Sequence, residues 1–238
     1  MDHVVVTGAS RGMGLEFCRQ YLARGATVFA GMRHEKTAAK LIALKDNNPD
    51  RLIVVPMDVG DEDSIRASAK VVAAHTDKVD VLVNNAGLGG ISHDDGKQER
   101  LGTFHFDDAW VVLRTMAVGP LLMAQQYLEM LKKSGHARIG CVSSGYGSIS
   151  GNTNCSPYYY GAAKTCMHQF YRSLTAEVKK WNILTVQLDP GWVQTDMGGP
   201  NAPLPVDKSI AGMIHVMDGL TPQTSGAFIR WNGETVAW

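Results

Sequence analysis

No Cys-x-x-Cys pair and no metal-ligand spacing occurs among the four cysteines of this 238-residue chain, Cys18, Cys141, Cys155 and Cys166. The spacing signatures of zinc sites and dithiol redox centres are therefore missing, and reduced thiols in a cytosolic protein without a metal are the expectation. An excess of charge of either sign is missing too, since 23 Lys and Arg face 23 Asp and Glu. A balanced chain lacks the electrostatic footprint of a nucleic-acid or polyanion binder. There is no low-complexity tract, charge block, internal repeat or linker, so residues 1–238 read as one domain. Apolar runs of membrane-spanning length are absent, and the N-terminus enters a strand at once, without a secretory signal. The expectation is a cytoplasmic protein with neither a membrane nor a nucleic-acid partner.

What is present is an alternation. Short apolar, β-branched runs at 4–7, 26–32, 52–56, 79–83, 138–143, 184–188 and 227–230 are separated by helical patterns. These lie at 14–24, with Leu15, Cys18 and Leu22 inward, at 35–45, from 61 onward, at 110–133, 157–181 and 207–217. Asp61, Glu62 and Asp63 put acids into the first turn of the third helix, where the helix dipole favours them. Continuous apolar strands between helices predict a parallel sheet buried on both faces. The fold class is α/β, a doubly wound Rossmann-type sheet in a single domain, which binds ligands beyond the carboxyl ends of its strands.

Two patterns carry chemistry. Gly8, Gly12 and Gly14 follow the first strand and open the first helix, spaced G-x-x-x-G-x-G. Glycines let a backbone approach a pyrophosphate, and the helix N-terminus attracts its charge. An ordinary glycine-rich turn is the alternative, and the position directly after strand one argues against it. Far downstream, Tyr160 and Lys164 stand at i, i+4 and so share a helix face. A nearby ammonium favours a phenolate, which would let a phenol with a free pKa of about 10 pass a proton near neutrality.

Thr7–Gly14, Asn84–Gly87, Ser143-Ser144, Tyr160–Lys164 and Pro190-Gly191 occur in the order of the classical short-chain dehydrogenase/reductases, which the chain resembles along nearly its whole length. The segment 190–204 and the terminal Trp238 are similar to a C-factor/sniffer-type branch that includes carbonyl reductases. The resemblance implies Tyr160 as general acid/base, Lys164 as its pKa-lowering partner and ribose holder, and Ser144 as the hydroxyl on the substrate oxygen. Ser143, first of the pair, is set aside, and Tyr158 and Tyr159 read as pocket or core aromatics. The cofactor would touch Gly8, Ser10, Arg11, Gly12, Met13 and Gly14. Asn84, Asn85, Ala86 and Gly87 would lie near the adenosine ribose, Asp58 and Val59 near the adenine. Pro190, Gly191, Val193 and Thr195 would reach the carboxamide or phosphates. For Asp58 a helix N-cap or turn role reads equally well.

An acidic residue at the end of strand two would mark NAD. Met32, Arg33 and His34 stand there instead, with Arg11 in the glycine loop. Guanidinium groups can fork onto a 2′-phosphate, so NADP(H) is the expected cofactor. One departure from the family is Met116, at the position of an Asn that holds a helix kink and a water linking the lysine to solvent. A thioether is a weak acceptor, so the proton path is slowed, rerouted or used for other chemistry. The leading function is an NADPH-dependent reductase of a ketone, aldehyde or related bond in a mainly apolar small molecule. A non-redox lyase, isomerase or cyclase, or a cofactor-binding signalling protein, are the alternatives. Leu88, Ile91, Phe104, Ile149, Tyr158, Trp192 and Met197 are the candidate pocket residues, and Cys155 reads as a plain loop residue. Pairing of the two longest helices into a homodimer or homotetramer is implied, against a monomer.

Overall fold

The computed structural model describes residues 1–89, 99–153 and 157–238. Seven parallel strands form one sheet in the order β3-β2-β1-β4-β5-β6-β7. They are β1 (His3–Val6), β2 (Thr27–Met32), β3 (Leu52–Pro56), β4 (Val81–Asn84), β5 (Arg138–Val142), β6 (Leu184–Asp189) and β7 (Phe228–Arg230). Each predicted strand is present, with ends moved by at most two residues. Because β1 has β2 on one side and β4 on the other, the strand order reverses beside it, and a crevice opens above their carboxyl ends.

Helices cover both faces. On one side α1 (Gly12–Ala23), α2 (Ala39–Asp46) and α8 (Val206–Asp218) bury Leu15, Cys18, Leu22, Leu41, Ile210 and Met213 against Val4, Val6 and Val28. On the other, α3 (Glu62–Ala73), α5 (Gly119–Gln126), α6 (Leu128–Ser134) and α7 (Tyr158–Val178) bury Ile65, Met123, Leu131, Met167 and Tyr171 against Val5, Phe29, Leu82 and Ile139. Alternate strand residues thus feed two cores, and each fully buried large aliphatic side chain contributes on the order of 1.5–3 kcal/mol. Asp61 caps α3, its carboxylate accepting from the Ser64 N–H at 2.7 Å.

Two helices depart from expectation. The segment predicted as one helix over 110–133 divides into α4 (Phe106–Leu113), a π turn at Arg114–Val118, then α5 and α6, with Tyr127 between the last two. The helix predicted over 35–45 is a short 3₁₀ turn at Glu35–Thr37 followed by α2. No helix among the described residues is long and apolar enough to cross a membrane.

Candidate active site

The glycine turn is built by close approach. Gly8 and Gly12 adopt φ of 66° and 53°, where a side chain is strained. A Cβ on Gly14 would lie 2.1 Å from the Gly8 carbonyl oxygen, and one on Gly8 would lie 2.8 Å from the Ala86 Cα. The Thr7 hydroxyl accepts from the N–H groups of Asn85 (3.0 Å) and Ala86 (2.9 Å), and the Asn85 amide donates back to the Thr7 and Gly8 carbonyls. The turn after β1 is thereby fastened to the segment after β4. No side chain caps the N-terminus of α1, since Arg11 stands at the N-cap without capping. Its first N–H groups lack intrahelical acceptors, and such an uncapped cradle fits a pyrophosphate.

Tyr158, Tyr159 and Tyr160 make the first turn of α7, and Lys164 follows one turn later. Ser144 starts a 3₁₀ turn beyond β5, its hydroxyl accepting from the Tyr146 N–H at 3.2 Å. The Ser144 hydroxyl lies close enough to the Tyr160 phenol to favour its ionised form. Lys164 Nζ lies 5.5 Å from the Tyr160 ring centroid and donates to the Val142 carbonyl at 2.8 Å. Ser144, Tyr160 and Lys164 therefore meet at the carboxyl end of β5.

The electrostatics correct one expectation. Burial pushes the Tyr160 phenol above its ordinary pKa, the nearby Ser144 hydroxyl opposes this, and Asp189 and Tyr146 add to the rise. Burial also pushes the Lys164 ammonium down to about 8. Lys164 was expected to lower the phenol's pKa, but its head is turned to a backbone carbonyl and its own charge is disfavoured by desolvation. At neutral pH the phenol keeps its proton.

The other expected residues sit around the same crevice. Gly87 faces Met116, whose Sδ would lie 3.6 Å from an added Cβ. Met116 is 1% exposed and its thioether accepts the Leu88 N–H at 3.4 Å, so the π turn presents sulfur to the loop after β4. Pro190 accepts from Ser209, and Gly191, at φ 76°, donates to Asp189. Val193 bridges to Leu204, and Thr195 stands over the glycine turn, its Cγ2 3.7 Å from a Cβ built on Gly12. Ser10 and Met13 lie in and just past the turn, with Met13 packed on the core. The Asp58 carboxylate accepts from the Gly60 N–H at 2.9 Å, which is the turn role, at the end of β3 beside buried Val59.

Asn84 does not reach the crevice. Its amide donates to the Tyr171 hydroxyl at 2.7 Å inside the core, because successive strand residues face opposite ways. Arg33 is exposed beyond β2 and pairs with no carboxylate among the described residues. Arg11 is not free: it forms an ion pair with Asp196 at 3.0 Å.

Of the pocket candidates, Leu88 packs against the cluster of Val112, Met116 and Ala163, as do Tyr159 and Tyr160. Phe104 meets Tyr158 edge-on at 4.8 Å, and Met197 closes on Gly89. Trp192 is 57% exposed, with its indole N–H on the Gly198 carbonyl. Ile149 lies elsewhere, lining a separate cavity of about 220 Å³ with His168, Arg172 and Trp238. Ile91 and Cys155 fall outside the described residues. Three contributors escaped sequence reasoning: Thr7 as the fastener, Tyr146 set edge-on to Tyr160 at 6.2 Å, and Asp196. Only Thr7 carried a signal, as the hydroxyl residue opening the glycine motif.

The comparisons with known proteins match this architecture. A model of the family described as short chain dehydrogenase matches residues 2–203. The chain belongs to the short-chain dehydrogenase family. C-signal of Myxococcus xanthus is 38% identical over 163 residues, covering 68% of this chain and 95% of that protein. A carbonyl reductase from chicken fatty liver, solved with NADPH bound, is 33% identical with a TM-score of 0.89, covering 100% of this chain and 99% of that one. Carbonyl reductase Sniffer of D. melanogaster is 28% identical with a TM-score of 0.92, each chain covered in full. This short-chain dehydrogenase shares with both reductases the doubly wound sheet described above.

Behind the site, the Ser143 hydroxyl pairs with His168 Nε2 at 2.5 Å. Burial, and then the Lys164 charge, push His168 down to about 4. The unfolded histidine titrates near 6.5, so the unfolded chain binds the extra proton between pH 6.5 and 4. The stability that neutral His168 contributes is full above pH 6.5 and is lost as pH falls toward 4, by about 3 kcal/mol at most. Thermal unfolding should therefore show His168→Gln well below the unmodified protein at pH 7, with the gap closing by pH 4.5. Parallel curves at all pH values would refute this.

Proposed function

We propose that this short-chain dehydrogenase is an NADPH-dependent reductase of ketones, aldehydes or related C=X bonds in mainly apolar small molecules. The observation that carries the reading is the meeting of a protonated Tyr160, close to Ser144, with buried Lys164 beside a cradle fitted to a pyrophosphate. Bound NADPH supplies the hydride. Ser144 holds the carbonyl oxygen, and Tyr160 gives that oxygen its proton as the carbonyl carbon accepts the hydride. The products are the alcohol, NADP⁺ and a phenolate that takes a proton back from solvent. Raising the phenol's pKa suits this direction, since the donor must hold its proton until the oxygen becomes basic. Lys164, anchored on Val142, would hold the ribose hydroxyls, and Arg33 with Arg11 would bind the 2′-phosphate. Leu88, Phe104, Tyr158, Trp192 and Met197 supply an apolar wall for the substrate.

The NADPH-bound state of the chicken reductase and the named activity of Sniffer support this reading. A second reading, a cofactor-binding signalling protein, has the likeness to C-signal behind it. We further propose that two copies pair through α4 and α7, where the outer face of α4 exposes Phe106 and Trp110. A monomer by light scattering at micromolar concentration would overturn the pairing.

The direct test is NADPH consumption with a panel of aldehydes and ketones. NADPH should bind more tightly than NADH, and Tyr160→Phe should lower turnover by roughly 10² or more while leaving cofactor affinity within a factor of about two. Binding without turnover on any substrate would favour the signalling reading, and undiminished turnover by Tyr160→Phe would move the acid elsewhere.

Met116 allows a sharper test. Asparagine there would keep an acceptor for the Leu88 N–H, now an oxygen in place of sulfur. Met116→Asn should hold or raise the rate of carbonyl reduction. A loss of the native activity would mean that the thioether maintains a dry pocket for non-redox proton chemistry.

A further inference from the structure

The loop after β6 leans on the glycine turn at two points. Thr195 stands against Gly12, and one residue later the Asp196 carboxylate reaches the Arg11 guanidinium. The loop is stiffened from within. The Trp192 indole donates to the Gly198 carbonyl at 2.7 Å, Gly198 N–H donates to the Thr195 hydroxyl at 3.1 Å, and Gly199 N–H donates to the Thr195 carbonyl at 2.9 Å. Gln194 N–H donates to the Leu204 carbonyl at 2.8 Å. Asp196 is therefore presented at a fixed point beside a cavity of about 500 Å³ that Gln194, Thr195, Gly199 and Pro200 also line. Of the two arginines expected to meet a 2′-phosphate, Arg33 is unpaired among the described residues while Arg11 already has an anionic partner.

We propose that Asp196 is a specificity-determining residue, which competes with the cofactor's 2′-phosphate for Arg11 and so restrains the preference for NADPH over NADH. The inference rests on the cofactor reading given above. A carboxylate and a phosphate ester both accept from the same planar guanidinium fork. A phosphate arriving at Arg11 must displace the Asp196 carboxylate or share the cation with it, and sharing brings two like charges within a few ångströms. NADH carries no such group and leaves the pair intact. Both partners are mostly exposed, at 68% and 75% of their side chains, so the effect has the modest size of a screened surface pair.

The experiment is a titration of the unmodified protein, Asp196→Asn, Arg11→Gln and the double variant with NADPH and NADH at low ionic strength. Asp196→Asn should tighten NADPH by about two- to five-fold, the scale of an exposed ion pair, and leave NADH unchanged. In the Arg11→Gln background the same substitution should give a smaller gain, because the contested cation is gone. A full gain without Arg11 would reduce Asp196 to simple repulsion and overturn the competition. If the unmodified protein prefers NADPH but Asp196→Asn leaves its affinity unchanged or weaker, the inference alone fails. If the unmodified protein binds NADPH no more tightly than NADH, the cofactor reading fails and takes the inference with it.

Discussion

The Thr7 hydroxyl is the contact on which the site depends. It is buried, and it takes two backbone N–H groups from the chain leaving β4. Without it the Ala86 N–H would lose its acceptor, at about 1–3 kcal/mol when buried, and the Asn85 N–H would keep only its bond to the Val83 carbonyl at 3.1 Å. One oxygen thus fixes the spacing between the segments after β1 and β4, the neighbours beside which the strand order turns. Gly8 then has to pass within contact of Ala86, and Gly14 within contact of Gly8. The glycines are consequences of that spacing, and the open start of α1 is aimed by it.

Burial does more than neighbouring charge to set protonation here. Tyr160, Lys164 and His168 are each shifted toward their neutral forms, with desolvation the leading cause in all three. Phenol, amine and imidazole lie within two turns of α7 and the adjoining β5 end. A site biased toward neutrality holds a proton ready on the phenol, while Lys164, brought down to about 8, stays mostly charged at pH 7. The Ser143–His168 pair sits beneath the segment bearing Ser144, so the condition of the core behind the site bears on the position of that hydroxyl.

Most of the fold was legible in the chain, because β-branched runs and helical periodicity are local signals. Tyr160 and Lys164 were legible for the same reason: their spacing on one helix fixes their shared face. Asn84 was misjudged because two asparagines in a row leave the parity of the strand to decide which one faces inward, and only the paired register shows it. The direction of the Tyr160 shift was misjudged because it depends on where Lys164 points, and its partner is a backbone carbonyl 22 residues away. The engagement of Arg11 depends on a partner 185 residues distant, which no local pattern could supply. The division of the segment over 110–133 was also hidden, since its apolar residues are too dense to reveal a change of period.

That division bears on helical phase. Each residue of an α-helix advances the direction of its side chain by about 100°, and a π turn accommodates one residue more than an α turn does. Across Arg114–Val118 the chain thus absorbs a single extra position without shifting either flank. α4 and α5 can each keep the face suited to their own packing, although no uninterrupted helix through both would satisfy the two at once. Removing one residue there would restore a regular helix and force a choice, either turning Phe106 and Trp110 about a quarter of the way around the axis or pulling Gly119 from its seat against Val59. The π turn acts as a clutch between two independently indexed helices, and Met116 rides on the slipping turn.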